Sequence, residues 1–194
     1  MKALRGFSLI ELIVGMAILG ILMSLAIPTF RDWLRNIKVR TAAESVLNGL
    51  QLARAEAVRR NARVRFSLVT TIDDTCALAN AGPNWVVSVD DPSTGVDKCA
   101  TPPSDTVAPR IIQLHSGSDG TTTTTVAAGQ SEYLFTGLGR LSAAPNGVID
   151  VTSSTGATCI ALGGPVRCLR IVVSLGGQIR MCDPALPDGD TQAC

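Results

Sequence analysis

The N-terminal part of the chain contains a long apolar run. Residues 7–27 read FSLIELIVGMAILGILMSLAI, and as a helix these residues are long enough to cross the ~30 Å hydrocarbon core of a membrane. A secretory signal peptide is the alternative, but its apolar region is about 7–15 residues long and ends at a small-residue cleavage site. Here Pro28 follows without such a site, and a helical pattern continues beyond it. The pattern therefore predicts a retained membrane-spanning helix over residues 7–27.

The next segment, residues 28–63, has the pattern of an amphipathic helix. Pro28 lacks a backbone donor, so we expect it to loosen or kink the helix. Beyond it, apolar residues recur with a period near 3.6, whereas polar positions fall mostly on the opposite face. The apolar stripe consists of Val39, Ala43, Val46, Leu47, Leu50, Ala53, Ala57 and Val58. Such a stripe predicts packing against a sheet.

The remainder, residues 64–194, has the pattern of a β-rich domain. Short runs of β-branched and aromatic residues alternate with Gly, Pro, Asp and Ser. We predict strands over residues 64–72, 85–90, 111–115, 122–127, 133–136, 148–152, 169–175 and 178–181. Gly176 and Gly177 predict a two-residue hairpin between the last two strands, because glycine accepts positive φ. The fold class is therefore α+β, with a long N-terminal helix, membrane-spanning in its first half and amphipathic in its second, packed on an antiparallel β-sheet domain.

Charge and cysteines divide the chain in the same way. Residues 1–65 contain 11 Lys and Arg against 4 Asp and Glu, a formal charge of +7, and residues 66–194 contain 6 against 12, a charge of −6. A basic segment beside an apolar run suits an anionic membrane surface, whereas the acidic remainder argues against non-specific coating of nucleic acid. No C-x-x-C pair is present, so we interpret the cysteines as disulfides formed in an oxidising compartment.

Six cysteines allow 15 connectivities, which sequence does not resolve. We expect local pairing, which would also attach the polar C-terminal tail to the domain. The expected pairs are Cys76–Cys99, Cys159–Cys168 and Cys182–Cys194.

Glu11 is unusual because a carboxylate in an apolar membrane segment costs several kcal/mol unless it is neutralised or paired. A short basic leader, MKALRG, precedes the run. Cleavage between Gly6 and Phe7 would create an α-amino group close to Glu11, in the same chain or in a neighbour, and the two charges could neutralise each other. The alternative is a Glu that is tolerated near the headgroups.

The junction Gly6-Phe7-Ser8-Leu9-Ile10-Glu11, followed by an apolar stretch that ends at Pro28, resembles the leader junction of type IV pilins and of type II secretion pseudopilins. The resemblance implies that a prepilin peptidase cleaves after Gly6 and methylates Phe7, and that Glu11 guides assembly with other pilins or pseudopilins. It also implies, together with the disulfides, a single-pass protein of the bacterial inner membrane with a periplasmic globular domain that later enters a filament. The predicted segments are 1–6 (leader), 7–27 (membrane and filament-core helix), 28–63 (amphipathic helix) and 64–194 (globular domain).

Later landmarks narrow the resemblance to the GspH/FimT family of minor pseudopilins and minor pilins. They are LQLARAEAVRRNARVRF ending the helix, Trp85-Val86-Val87, Tyr133-Leu134-Phe135 and Arg170-Ile171-Val172-Val173-Ser174, in that order. The six cysteines and the ending RMCDP resemble the type IV pilus branch more than the secretion branch. The expected function is a minor pilin that initiates or primes a pilus, with a secretion pseudopilin as the alternative.

No enzyme motif is present, and no cofactor is predicted. The single histidine, His115, is typical of a surface or capping residue. Aspartate pairs at residues 73–74, 90–91 and 188/190 could hold Ca²⁺, but loop aspartates are usually solvated turn residues.

A DNA-uptake role is a further hypothesis. Some FimT-type minor pilins bind DNA through a C-terminal G-R-x-R motif, and this chain has Gly177-Gln178-Ile179-Arg180, which keeps only the second arginine. Arg167 and Arg170 on the paired strand could add positive charge for phosphates. The alternative interpretation is that all three are ordinary arginines on a strand face, with no role in DNA binding.

Overall fold

The computed structural model describes residues 8–117, 123–142, 147–154, 156 and 158–194. It contains one long helix, two 3₁₀ turns at Lys98–Ala100 and Ile160–Leu162, and eight strands. The helix is α1 (Leu9–Arg60), and the strands are β1 (Val64–Val69), β2 (Asn84–Ser88), β3 (Ile111–His115), β4 (Thr124–Ala128), β5 (Glu132–Phe135), β6 (Gly147–Ser153), β7 (Leu169–Val173) and β8 (Ile179–Cys182). The chain forms two compact units, Met1–Leu34 and Arg35–Cys194.

Helix α1 passes position 28 without a break and ends before the predicted residue 63. Asn61 adopts a left-handed φ of 47°. The Asn61 amide donates to the Val58 carbonyl, and the Ala62 amide donates to the Ala57 carbonyl. This is the Schellman arrangement, in which a left-handed residue turns the last amides back onto free helix carbonyls.

The strands form two antiparallel four-stranded sheets, so the predicted α+β class, a long helix packed on antiparallel β structure, is confirmed. Their orders are β3-β2-β1-β5 and β4-β6-β7-β8. All eight predicted strands are present, with ends that differ by a few residues. The β7–β8 hairpin differs from the two-residue turn predicted for Gly176-Gly177: Ser174 faces Gln178, so the loop has three residues, and of its two glycines only Gly177 has a positive φ, at 81°.

The main core lies between the second half of α1 and both sheets. Of the stripe predicted on α1, Leu47 is partly buried and the other residues from Val39 to Ala57 are buried, together with Ala42, which the prediction omitted. Val58 was predicted in this stripe but is 53% exposed. Since each residue turns the helix by 100°, Val58 lies about 80° around the axis from Leu50, on the side away from Ala42. It therefore points past the edge of the core.

A second, smaller core covers the other face of the first sheet. It is built around the Cys76–Cys99 disulfide, with Val69, Val86 and Ile111 buried against it. Because both faces of β1 and β2 are covered, these two strands are buried along nearly their whole length.

Candidate assembly and contact sites

The first turn of α1 places Glu11 on an apolar helix. The Glu11 amide lies 3.3 Å from Ser8 Oγ, which accepts its hydrogen bond, so Ser8 is the N-cap of the helix. Ser8 and Glu11 also have the S-x-x-E spacing of a capping box, a signal that the motif-based interpretation of this junction did not use. A carboxylate in the first turn is favoured by the positive end of the helix dipole. The proposed cleavage residues Gly6 and Phe7 lie outside the described residues.

The apolar run of α1 is uncovered along its length. Every described large apolar side chain from Leu9 to Ile27 is about half exposed or more. This helix is long and apolar enough to cross a membrane. Apolar surface on this scale is not stable in water and has to be covered by lipid or by other apolar helices.

Two aromatic residues follow the apolar run. Phe30 and Trp33 stack with their ring centroids 5.6 Å apart, and both are more than half exposed. Aromatic side chains with this exposure are typical of the boundary between hydrocarbon and water. Sequence reasoning missed this pair, although its position directly after a membrane-length run is the signal that identifies it.

The six cysteines pair as Cys76–Cys99, Cys159–Cys168 and Cys182–Cys194, the local pairing that we expected. The last disulfide fixes the tail beyond β8. There the Asp183 amide donates to the Gln192 carbonyl, and Asp183 pairs with Ala193 in an isolated β-bridge. The tail is thus an ordered part of the domain.

The three arginines proposed for DNA contact do not form an open basic surface. Arg170 binds both carboxylate oxygens of Asp150, at 2.7 and 3.3 Å. Hydrogen bonding to this carboxylate raises the pKa of Arg170.

The other two arginines also contact oxygen atoms. Arg167 Nε lies 3.0 Å from Oδ2 of the buried Asp183, as an ion pair without hydrogen-bond alignment. Arg180 donates to the main-chain oxygens of Ala193 and Cys194, at 3.5 and 3.3 Å. Each positive charge is therefore next to a negative group or a carbonyl.

His115 lies in a groove of about 350 Å³ between α1 and β3. Its ring stacks on Trp85 with centroids 5.2 Å apart, and Trp85 Nε1 donates to Ser45 Oγ at 3.1 Å. His115 therefore contributes packing at the edge of the sheet.

At least one aspartate of each pair has a local partner, which for the third pair is the Gln192 amide, donating to Asp190 at 2.8 Å. Asp73 accepts hydrogen bonds from Thr71 and Thr75, which lower its pKa, and Asp90 pairs with Arg110, which lowers the pKa of Asp90. Among the described residues, no three His, Cys, Asp or Glu side chains are grouped so that they could hold a metal.

A charged cluster ends α1. Glu56 accepts hydrogen bonds from Arg59 at 2.7 Å and from Arg60 at 2.8 Å, and Arg60 also reaches Asp105 at 2.6 Å. The hydrogen bond from Arg59, helped by that from Arg60, lowers the pKa of Glu56 to about 2. The cluster joins the helix end to the long loop between β2 and β3.

Two family models match this chain. The family model described as "Type II transport protein GspH" matches residues 42–177. The chain belongs to this type IV pilin-like GspH/FimT family. A model of the prokaryotic N-terminal methylation motif matches residues 1–27 of this GspH-family chain.

Two curated fimbrial proteins from Pseudomonas aeruginosa are each 43% identical over 58 residues, which is 30% of this chain and 37% of theirs. The match thus spans well under half of these relatives. Two crystal structures of the type IV minor pilin FimU from Pseudomonas aeruginosa have TM-scores of 0.49 and 0.48 at 18% identity. They cover 74% and 73% of this chain and 87% and 90% of FimU.

Membership of the GspH/FimT family has three consequences. The family consists of structural subunits, so the chain is not an enzyme. The methylation motif over residues 1–27 indicates that the N-terminus is processed. The motif and the apolar helix together indicate anchoring in the inner membrane.

Proposed function

We propose that this chain is a minor pilin that primes assembly of a type IV pilus. The observation that supports this best is Glu11, a single carboxylate in the first turn of a helix whose apolar surface is otherwise continuous to Ile27. In hydrocarbon or in a filament core, this carboxylate costs several kcal/mol without a partner. Cleavage after Gly6 supplies one, because the new α-amino group of Phe7 is cationic.

The mechanism follows from pairing between chains. Before assembly, α1 holds the subunit in the inner membrane as a single pass, with the disulfide-braced domain in the periplasm. When a neighbouring subunit brings its N-terminal amine to Glu11, two charges in low dielectric neutralise each other, and the apolar faces of the two helices pack. Correct register is thereby favoured over slipped packing, which would leave both charges unpaired.

Substitution of Glu11 tests the proposal. Glu11→Gln keeps the size of the side chain and removes its charge, and Glu44→Gln, which removes a half-buried carboxylate paired with Arg40 on the same helix, is the control. We expect Glu11→Gln to reduce piliation and twitching strongly, and Glu44→Gln to leave both unchanged. Equal piliation in the two variants would refute the role of Glu11.

A type II secretion pseudopilin is the second candidate, favoured by the description of the matching family. Deleting the gene and measuring piliation, twitching, transformation and protein secretion in parallel separates the two. Loss of secretion with normal pili would reject the pilus assignment.

DNA uptake at the pilus tip is less well supported, since Arg167, Arg170 and Arg180 already have partners. A gel-shift assay of the chain, with Arg180→Ala as control, tests it. We expect no salt-sensitive retardation of DNA.

Processing is tested by the intact mass of membrane-extracted protein. We expect the leader to be absent, Phe7 to carry one methyl group and all six thiols to be oxidised. A retained leader would contradict the proposal at its first step.

A further inference from the structure

The loop closed by the Cys159–Cys168 disulfide presents apolar side chains to solvent. Between the two cysteines the sequence is IALGGPVR, in which only the last residue is polar. Val166 is buried and fixes the loop to the core, whereas Leu162 is 78% exposed and Ile160 is 42% exposed. We call residues 159–168 the apolar loop.

Hydrogen bonds hold the apolar loop in one conformation. The Ile160 amide donates to the Val166 carbonyl at 2.7 Å, and the Gly164 amide donates to the Cys159 carbonyl at 2.9 Å. The disulfide closes the same turn covalently. The exposure of Leu162 is thus built into the fold, and a surface that is already ordered loses little conformational entropy on binding.

The apolar loop is attached to α1 just beyond the exposed aromatic pair Phe30 and Trp33. The Arg167 amide donates to Asn36 Oδ1 at 2.7 Å. Asn36 comes three residues after Trp33, the second residue of the exposed aromatic pair. Three residues of chain span at most about 11 Å. Chain connectivity alone therefore keeps the point where the apolar loop meets α1 near Trp33.

The charge of the neighbouring helix segment favours an anionic surface. Residues 28–40 contain four Lys or Arg and one Asp, a formal charge of +3. Basic residues next to a membrane span are attracted to acidic headgroups. Exposed Leu and Ile beside such a segment match the composition of elements that lie in the membrane interface.

We propose that the apolar loop rests on the anionic membrane that holds α1, with Leu162 and Ile160 inserted among the headgroups. The inference rests on the membrane anchoring in the proposed function. The contact holds the globular domain against the membrane before assembly, and it is broken when the subunit leaves the bilayer for the filament.

Fluorescence quenching by brominated lipids tests this contact. The full chain carrying Trp33→Phe, which retains the buried Trp85, is reconstituted in vesicles of phosphatidylcholine and phosphatidylglycerol. Leu162→Trp is the reporter. The matched control is Leu138→Trp, because Leu138 is also a leucine and is 80% exposed, but it lies beside Gly139, whose carbonyl contacts Arg54, 18 residues along α1 from Asn36.

We expect emission from the tryptophan at position 162 to shift to the blue and to be lost when the acyl chains are brominated near the headgroup. The tryptophan at position 138 should be unaffected. Equal quenching at both positions, or none at 162, would overturn the inference. Quenching at 162 that disappears when protein is diluted into excess lipid would overturn it too, because the contact would then be with another subunit.

Native Trp33 separates this inference from the anchoring on which it rests. In the unsubstituted chain, Trp33 is quenched only if α1 is inserted. Quenching of Trp33 without quenching at 162 rejects the loop contact alone, whereas no quenching of Trp33 rejects the membrane anchor itself. Ile160→Trp provides a second reporter on the same loop and should behave like Leu162→Trp.

Discussion

Gly177 closes the β7–β8 hairpin where α1 meets two loops. Its φ is +81°, and a Cβ at this position would fall well inside van der Waals contact with the Gly139 carbonyl oxygen. That oxygen accepts a hydrogen bond from Arg54 Nε at 3.2 Å, and the Leu141 amide donates to the Leu175 carbonyl at 3.1 Å. Gly177→Ala therefore strains the turn and also separates the hairpin from the loop after β5.

The cost can be worked out from these contacts. An alanine in the left-handed region costs about 1–2 kcal/mol. Losing one or both of the hydrogen bonds around Gly139 costs about 0.5–1.5 kcal/mol each. We expect Gly177→Ala to reduce the free energy of unfolding by about 2–4 kcal/mol, which for a domain of this size lowers Tm by about 5–15 °C.

Gly176→Ala is the matched control in the same turn. Gly176 does not have a positive φ, and the nearest atom to an added Cβ is Ser174 Oγ at 3.8 Å, an ordinary contact. This variant should be neutral or slightly more stable, because alanine restricts the unfolded chain. Thermal unfolding of the detergent-solubilised chain, followed by near-UV circular dichroism with disulfides intact, measures both. Equal Tm values for the two variants would refute the reasoning.

Three further variants test the domain. Glu56→Gln should cost about 1–2 kcal/mol at pH 7, after allowing for solvent screening. Since the folded pKa of Glu56 is lowered to about 2, this contribution is present above about pH 4.5 and is lost as the pH falls towards 2, where wild type and variant should unfold alike in urea. Gly49→Ala should lower Tm, because the added Cβ would lie 2.8 Å from the buried Phe66 ring. Asn48→Ala, on the exposed side of the helix, should leave Tm unchanged. A rise in the Tm of Gly49→Ala would contradict this. Serine at both Cys182 and Cys194 should cost about 3 kcal/mol and allow proteases to remove the tail, and a resistant tail would show that the disulfide is dispensable.

The elements of this fold were largely predictable because their signals are local. The apolar stripe from Val39 to Ala57 predicts the helix through its period. The eight runs of β-branched and aromatic residues predict the strands. The ends of the helix and strands were not predictable, because they depend on contacts in the turns that follow. For example, β1 stops at Val69, and Asp73, which accepts from the Thr75 amide at 2.8 Å, then organises the turn that follows.

Pairing between distant strands was not predictable. The separation into two sheets depends on β1 pairing with β5 and on β4 pairing with β6, and periodicity carries no information about partners. Gly49 shows the same limit within the helix. It appears in the sequence as a weak helix former, and only the rings of Phe66 and Trp85 against it explain why a side chain would not fit.

The site residues divide in a similar way. Glu11 was identifiable from the sequence because charged residues are rare in apolar runs of membrane-spanning length. The hydrogen-bond and ion-pair partners of Arg167, Arg170 and Arg180 could not be predicted from the sequence. Asp150 faces Arg170 only through the register of β6 and β7, and the tail reaches Arg180 only by folding back beyond β8.

The meeting of Arg54, Gly139 and Gly177 also restricts where the chain can change length. One carbonyl oxygen links the helix, the loop after β5 and the β7–β8 hairpin, so an extra residue in either loop would disturb both sheets at once. The loop between β2 and β3 carries no such constraint near Gly95, where an added Cβ meets open space. Foreign sequence, such as an epitope for following the subunit in cells, is best inserted there.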